Sequence, residues 1–375
     1  MPDVNGDPLG SHPWQTLPGR DYHAPDVLAF EQEQIFAHSW VCVGRAEHLH
    51  GPGDYVTPEV GGEIPIVIRG KDGRLRAFAN TCRHRGTILL EGEGTVRGAI
   101  RCPYHAWTYG FDGRLLGSPN VDIDDGIDRD GIRLWEVPLA EFDGFVFLNL
   151  DGEAPPIDEA IATEPYSPLE LSRYRVGDLR SGARREYEVA ANWKIVVENY
   201  HECLHCPTVH PELVKIVPLY RRGEVEEDGQ LLGNSMGQGF TSFTASGTSA
   251  LPALPGLDDA DVHTFYGVYL FPNLILNYHS ETVNAVTIHP VAPDLTRVVS
   301  EFLFTAETVA DEGFDPTDVV EFRDLVARQD WHVCELAQRG VRSRYYTAGI
   351  YPRQEKWIAA VNQRYLDARG PFPTL

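Results

Sequence analysis

Two short runs, TCRHRG at 81–86 and CPYHAW at 102–107, constrain this chain more than any other feature. Together they read C-x-H-x17-C-x2-H, with Cys82, His84, Cys102 and His105 as candidate ligands. Two thiolates and two imidazoles from two loops close a tetrahedral site of the kind that holds zinc or an iron–sulfur cluster. Zinc fingers usually pair like with like, cysteine with cysteine and histidine with histidine. Here each loop supplies one of each. That division suits a two-iron cluster with one iron on both thiolates and the other on both imidazoles. A structural zinc loop is the alternative. The flanking sequence is short β-runs broken by turn signals, EIPIVIRG then KDGRL and AWTYGF then DGRLL. These are hairpin patterns and predict a small all-β domain around the loops.

Charge narrows the partners. With 32 Lys and Arg against 55 Asp and Glu, the 375-residue chain carries a formal charge of −23. Nucleic-acid binding needs clustered cations, and so does adsorption to anionic lipid. No apolar run approaches the ~18 residues of a membrane span. The start, MPDVNGDPLGSHPW, lacks the basic and apolar segments of a signal peptide. The expectation is a cytoplasmic protein that binds neither membrane nor nucleic acid. Six cysteines are too few for a disulfide scaffold, and four of them lie within a few residues of a histidine. In a reducing compartment that points to metal before disulfide.

The chain divides by texture into an arm and short helix over 1–37, the β-rich segment over 38–151, and a mixed segment over 152–375. Asp26 is the expected cap of the first helix, before VLAFEQEQIF. GFVFLNL reads as a buried strand and EAPPID as a linker. Beyond it, EYEVAANWKIVVENYHECLH reads as a strand running into a helix capped by Asn192. TFYGVYLF, LILNYH, AVTIHPV and RVVSEFLF predict an antiparallel sheet. A last helix is expected over 316–339, with Asp315 as cap, Pro316 in the first turn and Gly340 as the stop.

That mixed segment holds a second constellation. His205 and His210 form H-x4-H, and Pro207 is expected to break the helix near Cys206, so that the chain can turn His210 towards His205. Glu202 is three residues before His205 and is expected to share a helix face with it. Two histidines and one carboxylate with open positions form the facial triad of mononuclear Fe(II) oxygenases. For the carboxylate, Asp324 and Glu335 have arginines four residues on, Arg328 and Arg339, as ordinary surface pairs. Asp330 differs. Phe322, Val326, Val333, Cys334 and Ala337 place it on the apolar stripe, where a carboxylate is costly without a cation. A buried aspartate bonded to an ordinary donor is the alternative. Cys203 and Cys206 lack the βαβ context of a redox pair and read as packing residues, and His201 reads as a helix-surface or supporting residue.

The chain resembles the α subunits of Rieske non-haem iron oxygenases. CRHRG and CPYHAWTY, with Gly86, Pro103, Trp107, Tyr109, Gly110 and the following DGRL, look like that family's Rieske domain. NWK..VEN..EC.HCP..HPE and QDWHVCELAQRG look like its catalytic segments. The resemblance implies an α+β protein, with an all-β Rieske domain before a helix-grip catalytic domain on an antiparallel sheet. It implies a [2Fe–2S] cluster on Cys82, His84, Cys102 and His105. It implies a mononuclear iron on His205, His210 and Asp330. Many members carry an aspartate where this chain has Glu202, and that residue bridges to the Rieske histidine of the adjacent subunit. The resemblance therefore implies that Glu202 reaches His105 of a neighbouring chain in a homotrimeric ring. Glutamate at this position is frequent in members acting on quaternary ammonium compounds.

The implied activity uses O2 and electrons supplied from outside. No G-x-G-x-x-G follows a strand, so NAD(P)H acts only through a separate reductase, with or without a ferredoxin. Hydroxylation or N-demethylation of glycine betaine, choline, carnitine or proline betaine leads. An aromatic-ring mono- or dioxygenase competes with it, and an aliphatic or natural-product hydroxylase is also open. A zinc-dependent hydrolase or a pure electron carrier would each leave one constellation unexplained. A quaternary ammonium group wants aromatic faces, and Tyr266, Tyr269, Phe271 and Tyr278 are the candidates, unless they are sheet core. Asn199, a turn before Glu202, is either a helix-surface amide or part of the electron path.

Overall fold

The computed structural model describes residues 14–372 except 120, 122–125, 127, 165–166 and 226–231. The first thirteen residues of the expected arm lie outside that range. The chain divides into two units, Ile35–Glu159 and a second made of Met1–Gln34 with Ala160–Leu375.

The first unit is mainly β, with a short helical turn at Ala46–His48. A five-stranded antiparallel sheet runs, in spatial order, Glu136–Val137, Leu75–Phe78, Ile66–Arg69, Asp54–Val56 and Glu93–Thr95. The KDG signal makes the predicted hairpin there, with Gly73 at φ +78°, a conformation that favours glycine. Two three-stranded sheets complete the unit, one built on Phe145–Leu148 and one on Thr108–Tyr109. Cys82 and Cys102 belong to its apolar core, beside Phe78, Ile100, Trp107 and Tyr109. The β-sheet therefore buries the sulfur side of both loops.

The second unit is built on six antiparallel strands: β1 (Arg180–Val189), β2 (Leu232–Ser235), β3 (Thr264–Leu270), β4 (Leu274–Tyr278), β5 (Val283–Ala292) and β6 (Leu295–Phe304). Their spatial order is β1-β6-β5-β4-β3-β2. Four helices matter for the site: α1 (Pro25–Glu31), α2 (Trp193–Tyr200), α3 (Cys206–Val209) and α4 (Thr317–Val341). A buried ion pair, Lys194 Nζ to Glu31 Oε1 at 2.5 Å, ties α1 to α2. Trp193 Nε1 and Tyr365 Oη also donate to Glu31.

Local expectations are met unevenly. Asn192 caps α2, accepting from Lys194 N at 3.1 Å. Asp26 does not cap α1. Pro25 already occupies the first turn, Ala24 stands at the cap, and Asp26 pairs with Arg20 instead. Asp315 accepts from Thr317 N at 3.0 Å at the start of α4, and Pro316 stands just outside the helix. The helix runs one residue past Gly340. Glu335 does not pair with Arg339 but accepts from Ala190 N at 3.2 Å, whereas Asp324 does pair with Arg328.

The largest departure is at α2, which ends at Tyr200 rather than near Cys206. The Glu202 side chain accepts from the His205 backbone N–H at 3.1 Å and so competes with helical pairing. Pro207 then opens α3, where its missing N–H costs nothing. Glu202 and His205 therefore meet across a turn, not along a helix face. The same turn brings Cys203 and Cys206 to a Cα separation of 4.9 Å. They form a disulfide there rather than merely packing.

Candidate metal centres and substrate cavity

The two Cys–His loops are built on one plan. Gly86 N donates to Cys82 O at 2.9 Å, and Cys82 N to Thr87 O at 2.9 Å. Ala106 N donates to Cys102 O at 3.1 Å, and Cys102 N to Trp107 O at 2.8 Å. The fifth residue of each loop is left-handed, Gly86 at φ +71° and Ala106 at φ +58°. For alanine that conformation is costly, and the loop pays it to hold its shape. Burial works against the Cys102 thiolate, but hydrogen bonds from the Tyr104 and His105 backbone, from Cys82 and from Thr87 outweigh it and hold the pKa below the usual thiol range. Tyr109 Oη lies 3.3 Å from Cys82 Sγ and accepts from Arg83 N. The His84 and His105 rings stand 4.7 Å apart, with Trp107 stacked on His84 and Tyr104 on His105. Two buried sulfurs on the core side and two adjacent imidazoles towards solvent form the donor set that a cluster with unlike irons requires.

In the second unit, α3, the turn before it and α4 bring three donors together. His205 Nε2 and His210 Nε2 are 3.1 Å apart. Asp330 Oδ1 lies 3.2 Å from the first and 2.8 Å from the second. Donors at right angles around a metal with bonds of about 2.1 Å stand about 3.0 Å apart, and tetrahedral donors about 3.4 Å. The spacing fits one face of an octahedron better than it fits a tetrahedral zinc site. Cys206 Sγ, 3.9 Å from His205 Nε2, is bonded to Cys203 and offers no thiolate.

Both imidazoles are oriented by their other nitrogen. His205 Nδ1 donates to Glu202 Oε1, and His210 Nδ1 donates to Gln329 Oε1 at 2.8 Å. Each Nε2 is thereby left for a metal. Gln329 is held in turn by Glu212, 3.2 Å from its Nε2. Burial would push the His205 imidazolium down. Hydrogen bonds to Asp330 and Glu202 overcome that and lift its pKa to about 9. Asp330 is held low by the same two histidines, against the effect of its burial. Without a cation the corner retains a proton, and a divalent metal supplies the positive charge instead. His201 is neutral: burial drives its pKa to about 4, and its Nδ1 donates to Val197 O at 2.7 Å.

A cavity of about 170 Å³ (space open to the centre of a water-sized sphere) opens beside this corner. Asn199 lines it, with Glu202, His205, His210 and Asp330. The four aromatics expected to form its walls do not line it, which corrects the sequence reading. Side chains alternate across a sheet. Phe265 and Gly267 of β3, Ile275 and Asn277 of β4, Asn284 of β5 and Ser300 of β6 face the cavity. Tyr266 and Tyr278 point to the opposite face, where both meet Tyr174. Tyr269 donates to Pro272 O at 2.6 Å and packs on His201, and Phe271 lies under Arg364. The aromatic surface of the cavity comes instead from Tyr187, Tyr200, Tyr220, Phe243, Trp331 and Trp357. Those residues, and the polar Asn277, Asn284 and Arg323, carried no spacing signal except one. Arg323 stands seven residues before Asp330, on the same helical stripe.

Comparison with known proteins agrees with the two centres. The Rieske [2Fe–2S] domain family matches residues 39–127, and the ring hydroxylating alpha subunit (catalytic domain) family matches residues 176–369. The carnitine monooxygenase oxygenase subunit of Acinetobacter pittii is 33% identical over 334 residues, covering 88% of this chain and 86% of its own. The glycine betaine monooxygenase oxygenase subunit of Chromohalobacter salexigens is 30% identical, covering 95% and 88%. Among solved structures, a quaternary ammonium Rieske monooxygenase implicated in carnitine oxidation by gut microbiota superposes with a TM-score of 0.78. It is 31% identical and covers 95% of both chains.

Proposed function

The chain belongs to the Rieske-type ring-hydroxylating oxygenase α subunits, and we propose that it oxidises a small methylated ammonium compound by hydroxylation or N-demethylation. It is an oxygenase component with a [2Fe–2S] centre and a mononuclear iron centre, served by a separate reductase. The observation that carries the reading is the octahedral-face spacing of His205, His210 and Asp330 at the mouth of an aromatic-walled cavity. In this reading those three hold the iron, and Cys82, His84, Cys102 and His105 hold the cluster. In this reading the Rieske domain spans 38–151 and the catalytic domain 152–375, with the arm and helix over 1–37 assigned to the latter.

Iron held by His205, His210 and Asp330 would supply the oxygen chemistry beside the substrate, and a cluster on Cys82, His84, Cys102 and His105 would supply the electron. The chain's own residues position and protect. Gln329 and Glu202 hold the two imidazoles in the metal-binding tautomer. The aromatic walls exclude water and offer faces to a trimethylammonium group. Glu202 Oε1 takes the His205 N–H, and in a homotrimer Glu202 would also meet His105 of the next subunit and carry the electron between centres. Asn199 lines that same corner and supports the path. His105 is half-buried beside the exposed His84 and Tyr104, so its ring is open to such a contact. The −23 charge suits docking of a locally basic reductase or ferredoxin, in the cytoplasm where NAD(P)H is available.

The test begins with iron and acid-labile sulfide content and the electron paramagnetic resonance spectrum of the dithionite-reduced protein. About three irons and two sulfides per chain with a low-average-g signal are expected. Assay with a reductase, NADH and methylated ammonium compounds should then release formaldehyde or a hydroxylated product. Zinc without sulfide would overturn the reading.

A further inference from the structure

Several buried or half-buried cations among the described residues have carboxylate partners. Arg45 pairs with Glu47, Arg173 with Asp261, Lys194 with Glu31 and Arg369 with Asp21. Arg323, on the cavity wall, has no carboxylate within 4.0 Å among the described residues. Its Nη2 donates to the neutral Asn284 Oδ1 at 3.4 Å, the long limit of a hydrogen bond, and its Cζ lies 5.7 Å from the Phe243 ring centroid. Burial lowers its pKa, opposed by Tyr200, Asp330 and Tyr220. A guanidinium nevertheless stays charged in proteins, and on the wall of a cavity a half-buried one without a carboxylate partner is a ready site for an anion.

The neighbouring amides do not neutralise it. Asn284 Nδ2 is turned away, to Ser300 Oγ at 2.8 Å and Glu301 O at 3.1 Å. Asn277 accepts from Tyr200 Oη at 3.0 Å, and its own Nδ2 makes only long contacts, 3.4 and 3.5 Å, to Asn284. The wall at this end thus presents a guanidinium and a poorly used amide donor, both facing a cavity. Arg323 and Asp330 are seven residues apart on α4. Seven residues is two turns, so both face the same side, about 10 Å apart along the axis. The cavity has an anion-seeking end and a metal-binding end separated by the length of a short zwitterion.

We propose that Arg323 determines specificity by binding a carboxylate of the substrate, so that the substrates are N-methylated ammonium carboxylates and a carboxylate-free choline-type cation is rejected. The inference rests on the reading of this cavity as a methylammonium site and narrows it. A planar carboxylate accepts two N–H groups of the guanidinium fork. The N-methyl groups then lie towards the His205, His210 and Asp330 corner. A cation lacking the carboxylate would leave Arg323 unpaired and bring a like charge near it, a penalty that works as negative selection.

The test is equilibrium binding by calorimetry to the anaerobic holoenzyme. Four ligand types are compared, at two chain lengths (glycine betaine and γ-butyrobetaine): the acid, its methyl ester, the carbon isostere with CMe3 in place of NMe3⁺, and the ester of that isostere. In the native protein the acids should bind about 10- to 100-fold tighter than their esters. Arg323→Gln should abolish that ratio by weakening the acids alone, and Arg323→Lys should retain part of it. An unchanged cluster spectrum and iron content verify folding. Equal binding of acid and ester to the native protein overturns the proposal, as does an acid-to-ester ratio that survives in Arg323→Gln. The isosteres separate the two readings. If they bind as tightly as the ammonium compounds and still depend on Arg323, the ammonium reading falls and the carboxylate site stands. If ammonium compounds are preferred with no effect of Arg323, the reverse holds. No binding by any ligand overturns both.

Discussion

Replacing Gln329 by Leu removes one acceptor from the mononuclear centre while leaving its three metal donors in place. In the native fold Gln329 Oε1 accepts from His210 Nδ1 at 2.8 Å, and His210 is 1% exposed. Leucine offers no acceptor in its place. The ring is then free to rotate or to place its proton on Nε2, the nitrogen that would hold the metal. Loss of such a partner typically weakens metal binding about 10- to 100-fold, or about 1.4–2.7 kcal/mol. The stranded N–H adds a folding cost of about 1–3 kcal/mol in the metal-free protein. The expected result is therefore a raised Fe(II) dissociation constant, read by chelator competition, together with a lowered Tm and an intact visible spectrum of the cluster. Glu212→Gln is the control. It alters the partner of Gln329 Nε2 but leaves Oε1 on His210, and should change the Fe(II) constant less than about threefold. Equal Fe(II) affinity in Gln329→Leu and the native protein would refute the orienting role.

Four further outcomes are expected. Asp330→Ala should reduce iron from about three to about two per chain and abolish turnover with the cluster spectrum intact; loss of that spectrum would place Asp330 in the other centre. Cys102→Ser should remove acid-labile sulfide and the visible bands, and a retained cluster would reject this ligand. Glu202→Gln should keep the iron but slow single-turnover electron transfer from the reduced cluster, whereas an unchanged rate would remove it from the path. Glu198 is one of two carboxyls, with Glu355, that burial lifts to about pH 7. Burial lifts its pKa to about 7, against opposing hydrogen bonds from Tyr22 and Asn362. Its folded pKa lies above the unfolded value, so its contribution to stability is complete below about pH 4.5 and is lost as pH rises through about 7. Denaturant titrations from pH 4.5 to 8 should show a decline of at most about 3 kcal/mol from this group, and Glu198→Gln should lessen the total decline, with Glu355 still contributing; an equal decline in the variant would assign it elsewhere.

The two clusters of candidate donors were legible in the sequence because metal coordination demands particular atoms at short spacing. Cys82, His84, Cys102 and His105 stand in two loops, and a Cys or a His has few cheaper reasons to recur in that pattern. Asp330 was legible because a carboxylate on an apolar stripe is costly, and His210 Nε2 at 2.8 Å explains its position. The strands of the second unit were equally visible as apolar runs, since local patterning is what a sheet buries. The end of α2 was not. It depends on a Glu202 side chain competing for the His205 backbone, a choice between two local hydrogen-bond schemes of similar strength. Nor could the cavity walls be read. Which face of β3 and β4 meets the cavity is settled by the helices packed over the sheet, so Tyr266 and Tyr278 fell on the far side and Asn277 on the near one. Sequence alone picked out the donor atoms that the fold brings together, because ligand chemistry is local. Only the tertiary structure decided what surrounds the substrate, because Arg323, Asn277 and Phe243 come from elements far apart in the chain and acquire meaning when packing closes them around one space.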